Sequence, residues 1–233
     1  MADLNELIKN YKTPDRAKDL LGNTKAVFLV GITGAGKDTI LKELFKTGKF
    51  HYIVSHTTRQ PRENEGAMEV DGQNYHFIST AEAESMLENG DFVEAKYYSG
   101  NIYGTSVGEF EEALREEKIA ITDIEVQGVS EYVKISENVT PVFILPPDFA
   151  TWQERLKARY AGIEPDAADI QKRMETAKKE LEEALSKDYF EYVINDDLSR
   201  AVIAVDEVAH GSLSTEKNEQ ARQLARELLE KLN

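Results

Sequence analysis

Two rhythms of hydrophobic and polar positions run along this chain. Short apolar or β-branched runs at AVFLV (26–30), YHFIS (75–79), FVEAKYY (92–98), IAITDIE (119–125), PVFIL (141–145) and YFEYVIN (189–195) predict strands. The first has no polar position, which suits a strand covered on both faces of a parallel sheet. Between the runs, apolar residues recur at helical spacing, from Thr39 to Phe45, in AEAESMLENG (81–90), GEFEEALREEK (108–118) and ADIQKRMETAKKELEEALSKD (168–188). Such alternation predicts an α/β fold around a parallel core sheet. Residues 1–23 read as a helical appendage, interrupted at Pro14 and closed by Gly22-Asn23. The chain turns helical again from Leu198, and His210-Gly211-Ser212 breaks that helix before a last amphipathic one. The stripe Leu224, Leu228, Leu229 and Leu232 suits packing on its own domain, with a homodimer contact as the other use of such a face. The expected organisation is an appendage (1–23), a main domain (24–209) and a C-terminal helix (210–233).

Composition narrows the class. At 233 residues, 41% hydrophobic and 30% charged, the chain is long enough to bury a real core. No apolar run approaches the ~20 residues that span a bilayer, and the start MADLNELIKNYK has charges where a signal peptide is apolar, so a cytoplasmic, membrane-free protein is expected. With no cysteine there is neither a disulfide nor a thiolate site. A net charge of −15 argues against a nucleic-acid polymer as partner, because two polyanions repel. A small phosphorylated substrate stays open, provided the chain carries a local basic cluster.

LVGITGAGKDT (29–39) meets that condition. It follows G-x-x-x-x-G-K-[ST] through Gly31, Gly34, Gly36 and Lys37, with Thr33 and Ala35 inside the loop. A strand running through glycines into a helix lets backbone N–H groups converge on phosphate oxygens, while the lysine reaches the outer phosphates. Asp38 stands where a magnesium-binding hydroxyl is expected. A carboxylate there suits the helix N-terminus but would be repelled by phosphates unless it meets Mg²⁺ or a basic group. Thr39 is placed to supply the missing hydroxyl. An altered metal coordination by Asp38 and Thr39 is therefore expected.

A second cluster lies in SHTTRQPRENEGAMEVDGQNYHF (55–77). Arg59 and Arg62 flank a proline among hydroxyls, and Tyr75 closes the segment. Forked guanidinium groups suit a phosphate monoester. Taken alone, these residues fit a solvated turn equally well. None of the four histidines is spaced from another as a metal ligand would be.

In combination with the glycine loop, this cluster resembles the guanylate kinase family. FVEAKYYSGNIYGTS (92–106), DIEVQG (123–128), FILPP (143–147) and VINDDL (193–198) extend the resemblance, in order, from about Lys25 to Val208. It implies a three-layer P-loop α/β fold with a parallel core sheet, a small GMP-binding subdomain (about 56–106) and a helical lid (about 155–175). It also implies roles. Ser55, Arg59, Arg62, Tyr75 and Tyr103 would surround GMP and its phosphate, while Glu94, with Thr105 and Glu125, would hold guanine. Asp123 would lie near the metal. Arg155, Arg159 and Arg173 would supply lid cations, and Asn195 would belong to the adenine side. ATP would be the phosphoryl donor, Mg²⁺ the cofactor, and GMP the acceptor, with dGMP alongside it. Adenine would leave Glu94 unpaired, and sites built on donor–acceptor matching discriminate by ~10⁴–10⁵.

Three departures from the family pattern stand out. The segment between Arg62 and Tyr75 is longer than the family turn, with GAMEV resembling an insertion. RYAGIEPDAADIQKR is extended, with Tyr160 where glycine is common. Asp38 replaces the usual serine, as in the related ribose bisphosphate kinases. The readings that compete with a GMP kinase are a kinase of ribose bisphosphate and a non-catalytic binding module.

Overall fold

The computed structural model describes residues 4–64, 67–158 and 166–233. Its helices are α1 (Leu4–Asn10), α2 (Asp15–Asn23), α3 (Lys37–Lys46), α4 (Thr80–Asn89), α5 (Val107–Arg115), α6 (Val126–Ile135), α7 (Phe149–Ala158), α8 (Ala167–Leu185), α9 (Leu198–Ala209) and α10 (Thr215–Leu232). The strands are β1 (Ala26–Val30), β2 (Phe50–Tyr52), β3 (His56–Thr57), β4 (Glu63–Asn64), β5 (Ala67–Met68), β6 (His76–Phe77), β7 (Phe92–Tyr98), β8 (Asn101–Ser106), β9 (Ile119–Asp123), β10 (Val139–Leu145) and β11 (Glu191–Ile194). They form two compact units. One holds residues 1–24 and 51–120, the other 25–50 and 121–233.

The second unit is built on the sheet ordered β11-β10-β1-β9-β2. β10 runs parallel to both β1 and β11, pairing Leu29 with Val142 and Phe143 with Tyr192. All of β1 and nearly all of β10 are buried, as uninterrupted apolar strands in a parallel sheet require. Ile124 N–H donates to Leu29 O at 3.1 Å, so the end of β9 lies beside the end of β1. The expected strand IAITDIE is therefore shorter, and Glu125 already caps α6. β11 is the edge strand, and α10 closes it: Asn218 accepts the Tyr192 N–H at 2.8 Å, and the Arg222 guanidinium sits 5.6 Å from the Tyr192 ring. The buried face of α10 is Ala221, Ala225 and Leu228, with Leu224, Leu229 and Leu232 half-exposed beside it.

The first unit has a mixed sheet, β6-β3-β8-β7. β7 and β8 form a hairpin across Ser99-Gly100, both at positive φ, the two-residue turn whose twist matches the strands. The expected strand YHFIS reduces to β6, because only His76 and Phe77 pair with β3, while Tyr75 forms an isolated bridge to Asp71. β4 and β5 form a small antiparallel hairpin in the region read as an insertion. The α4 helix begins with a capping box between Ser79 and Glu82 and ends at Gly90. Ala83, Leu87, Phe92 and Ile102 form a core against which Leu7, Ile8 and Tyr11 pack.

Candidate active site

The second unit carries the glycine loop where β1 gives way to α3. Gly36, the N-cap of α3, is left-handed at φ 96°, and a Cβ there would collide with the Asn195 amide. The loop's carbonyls are tied from behind. Trp152 Nε1–H donates to Thr33 O and Asn195 Nδ2–H to Ala35 O, each at 2.8 Å, and Lys37 Nζ donates to Gly31 O. In a planar trans peptide the next N–H points opposite to the carbonyl. Holding Thr33 O and Ala35 O therefore aims the N–H groups of Gly34 and Gly36 away from these anchors, as an anion cradle requires. Asn195, assigned to the adenine side by resemblance, spends its amide on the loop itself.

The same unit carries predicted cations and acids. Arg155, on α7, donates to Asn195 O at 3.0 Å, and its Nη1 is buried without a hydrogen-bond partner among the described residues. A buried guanidinium N–H is costly to leave unmade. Arg173, on α8, pairs with Asp169 at 3.2 Å. Arg159 lies outside the described residues. Asp38 and Thr39 are exposed on the first turn of α3, and Asp123 is exposed at the end of β9. Among the described residues no cluster of three or more metal-ligating side chains is preformed. A few exposed hard oxygen donors that form no preformed cage suit Mg²⁺ delivered on phosphates better than a metal caged by protein. Glu180, on α8, is raised from 4.5 to about 7, first by burial, while Lys37 pulls it down and Glu125 pushes it up. One of its carboxyl oxygens is buried with no partner.

The first unit gathers the other predicted anion ligands. Arg59 forms a two-pronged pair with Glu69, Nη1 to Oε2 at 2.8 Å and Nη2 to Oε1 at 3.0 Å, and both side chains are 11% exposed. Glu69 also accepts the Arg62 N–H at 2.9 Å. The bond from Arg59 holds the Glu69 carboxyl below its ordinary range, and the Arg59 guanidinium is correspondingly raised. The guanidinium lies 5.3 Å from the Tyr75 ring centre, interacts with Tyr103, and keeps its Nε buried and unpartnered. Tyr75 and Tyr103 themselves pack edge to face at 6.0 Å. Arg62 is exposed and Ser55 half-buried. Glu94, on β7, accepts from the buried Thr105 hydroxyl at 3.1 Å. Glu125 belongs to the second unit.

The family profile described as "Guanylate kinase" matches residues 23–211. The chain belongs to the guanylate kinase family. "Guanylate kinase 1" of Oryza sativa subsp. japonica is 38% identical over 186 residues, 78% of this chain and 47% of the relative. "Guanylate kinase" of Schizosaccharomyces pombe is 38% identical over 76% of this chain and 86% of the relative, and that of Sus scrofa 33% over 80% and 92%. The chain thus spans about half the length of the plant relatives and most of the others. A crystal structure titled guanylate kinase from Anaplasma phagocytophilum shares the fold, with a TM-score of 0.57 at 20% identity over 87% of this chain and 94% of that one.

Within this guanylate kinase frame, three site residues escaped the sequence reading. Glu69 sits at the end of the stretch read as an insertion, where no local pattern pairs it with Arg59. Glu180 looks like any acid in KKELEE, although it falls three residues after buried Ala177 and beside buried Leu181, and that spacing marks the inner face. Glu109 accepts the Val54 N–H at 2.7 Å and meets His76 Nε2 at 2.9 Å, bracing the start of the Arg59 segment. His56, stacked on His76 at 4.5 Å, is pushed down to about 4 by burial and by its neighbour, so it is neutral near pH 7.

Proposed function

We propose that this chain transfers the γ-phosphoryl group of ATP to GMP, giving ADP and GDP. The observation that carries this reading is the state of its arginines. Among the described residues, Arg59 and Arg155 each have a buried guanidinium N–H without a hydrogen-bond partner in an acidic protein, one beside two tyrosines and the other bonded to Asn195, which anchors the glycine loop. Two waiting anion sites are what a donor phosphate chain and an acceptor phosphate need.

A GMP phosphate oxygen is already anionic near neutral pH, so no base has to remove a proton. It attacks the γ-phosphorus in line. The bond from that phosphorus to the bridging oxygen breaks, and its electron pair leaves with ADP. Lys37, Arg155 and Arg173 offset the charge that spreads over the transferred group, with Arg159 as a further cation. Arg59, Arg62, Tyr75 and Tyr103 hold the acceptor phosphate. Glu94 accepts from guanine N1–H and the 2-amino group, with Thr105 fixing the carboxylate and Glu125 assisting. Mg²⁺, when bound, would be held by Asp38, Thr39 and Asp123 and would supply further charge neutralisation on the outer phosphates. The intact loop speaks against a purely binding role, and the Glu94–Thr105 pair against ribose bisphosphate.

Coupled measurement of ADP release tests this, with GMP, dGMP, AMP, UMP and ribose 1,5-bisphosphate offered separately. Turnover confined to the guanine nucleotides is the expected result. Turnover of the sugar bisphosphate, or of nothing, overturns it.

A further inference from the structure

The family profile begins at residue 23, yet the helical segment before it belongs to the compact unit that holds Glu94. Its polar contacts converge on Gly90–Val93, the two residues before β7 and the first two of the strand. The Tyr11 hydroxyl donates to Phe92 O at 2.6 Å and accepts the Phe92 N–H at 3.2 Å. Thr13 Oγ1 donates to Val93 O at 2.9 Å. Arg16 donates to Gly90 O at 2.8 Å and pairs with Asp91.

Here the strand is irregular. Pairing passes from Phe92 opposite Ser106 to Glu94 opposite Thr105, so Val93 is the extra residue of a bulge. A bulge takes backbone groups out of the ladder, and they need other partners. Tyr11 and Thr13 are those partners. Register matters because a one-residue slip turns every later side chain to the opposite face, which would take Glu94 away from the Thr105 hydroxyl. The two strands are also pressed together: a Cβ on Gly104 would lie 2.7 Å from Glu94 O and 2.9 Å from the Phe92 ring. Leu7 and Ile8 anchor the segment on the Ala83, Leu87, Phe92 and Ile102 core. Burial raises the Tyr11 hydroxyl, so it stays protonated and able to donate.

We propose that residues 7–16 are a positioning brace for the base-recognition strand, in which Tyr11 and Thr13 hold the Val93 bulge and thereby set Glu94 against Thr105 for the guanine edge. The brace rests on the GMP kinase reading and adds to it a specificity-determining element outside the family's common core.

Steady-state kinetics on the full chain test the brace. Tyr11→Phe keeps the ring and removes both backbone bonds, so KM for GMP should rise about tenfold while kcat and KM for ATP stay within about twofold, in keeping with the loss of bonds to buried groups. Thr13→Val should raise KM for GMP about threefold, and Thr13→Ser should restore it; this pair decides the matter if Tyr11→Phe does not fold. If the brace acts through Glu94, Tyr11→Phe added to Glu94→Gln should leave KM for GMP where Glu94→Gln alone puts it. A fall in Tm with KM for GMP unmoved would reduce the segment to packing and overturn the proposal. Equal Tyr11→Phe effects in both backgrounds would also overturn it. Absence of GMP turnover by the unmodified chain is a separate outcome, visible before any variant, and it overturns the kinase reading together with the brace.

Discussion

The two units solve one electrostatic problem in opposite ways. On the kinase reading proposed above, each would keep an arginine for phosphate inside a chain of net charge −15. In the first unit the protein's own carboxylate is used: Glu69 is ionised and grips Arg59 by two prongs, while the guanidinium Nε stays buried with no hydrogen-bond partner among the described residues. In the second unit a carboxylate is instead left part-protonated near neutral pH. Glu180, which interacts with Lys37, is raised to about 7 by burial, and Arg155 donates to the neutral carbonyl of Asn195, with Asp148 as a longer-range charge partner. A clamped arginine is rigid and shaped for one anion. An arginine held by a carbonyl keeps its full charge for a phosphoryl group whose own charge shifts during transfer. The contrast matches an acceptor to be recognised on one side and a reaction to be driven on the other.

Four measurements break or sharpen this contrast. The largest effect belongs to the second unit: Lys37→Met should lower kcat by about 10³, as loss of a transition-state charge partner does, with Tm little changed. If kcat drops less than tenfold, the loop is not the reacting centre. Next, Glu94→Gln should cut the preference for GMP over AMP by about 10²–10³, measured as the ratio of kcat/KM values, because a donor amide no longer mismatches adenine outright. Arg59→Lys should raise KM for GMP by about 10–30-fold with little change for ATP, since an ammonium cannot replace a fork.

The Arg59–Glu69 pair also carries a pH signature. The lowered Glu69 carboxyl adds stability that is present above its ordinary value of 4.5 and is lost as pH falls through the lower, folded value. Glu180 has the opposite sign and the smallest effect. Its folded value lies above its unfolded one, so stability falls as pH rises from 4.5 to about 7 and is level beyond. Glu180→Gln should remove that slope and leave the protein more stable at pH 8 by on the order of 1–3 kcal/mol, read from denaturant titrations at pH 5 and pH 8. A variant less stable than the parent at pH 8 would show Glu180 ionised and paired, and the contrast between the units would collapse.

Legibility differed by feature. The glycine loop was readable because its chemistry is contiguous: Gly31, Gly34, Gly36 and Lys37 do their work within one strand-to-helix turn. The strand at 92–98 was readable from its run, but its partner β8 was not, although Ser99-Gly100 is the turn that announces a hairpin. Arg59, Tyr75 and Tyr103 were named from a resemblance, and the structure brings them together. Glu69 was passed over because it lies ten residues from Arg59 across a hairpin that no local rule predicts. The N-terminal helices read as an appendage, since nothing in their own pattern says which surface they cover.

What the sequence determined by itself is therefore whatever a short stretch of backbone can decide alone. That includes the alternation of strand and helix, the phosphate-binding turn and the overall acidity, because periodicity and dihedral preference act over a few residues. What only the tertiary structure decided is the partnering. It set which carboxylate grips Arg59, which one is raised to about 7 beside Lys37, and which segment holds the bulge before Glu94. Charge states and register depend on burial and on distances between residues far apart in the chain, and those quantities exist only once the chain has folded.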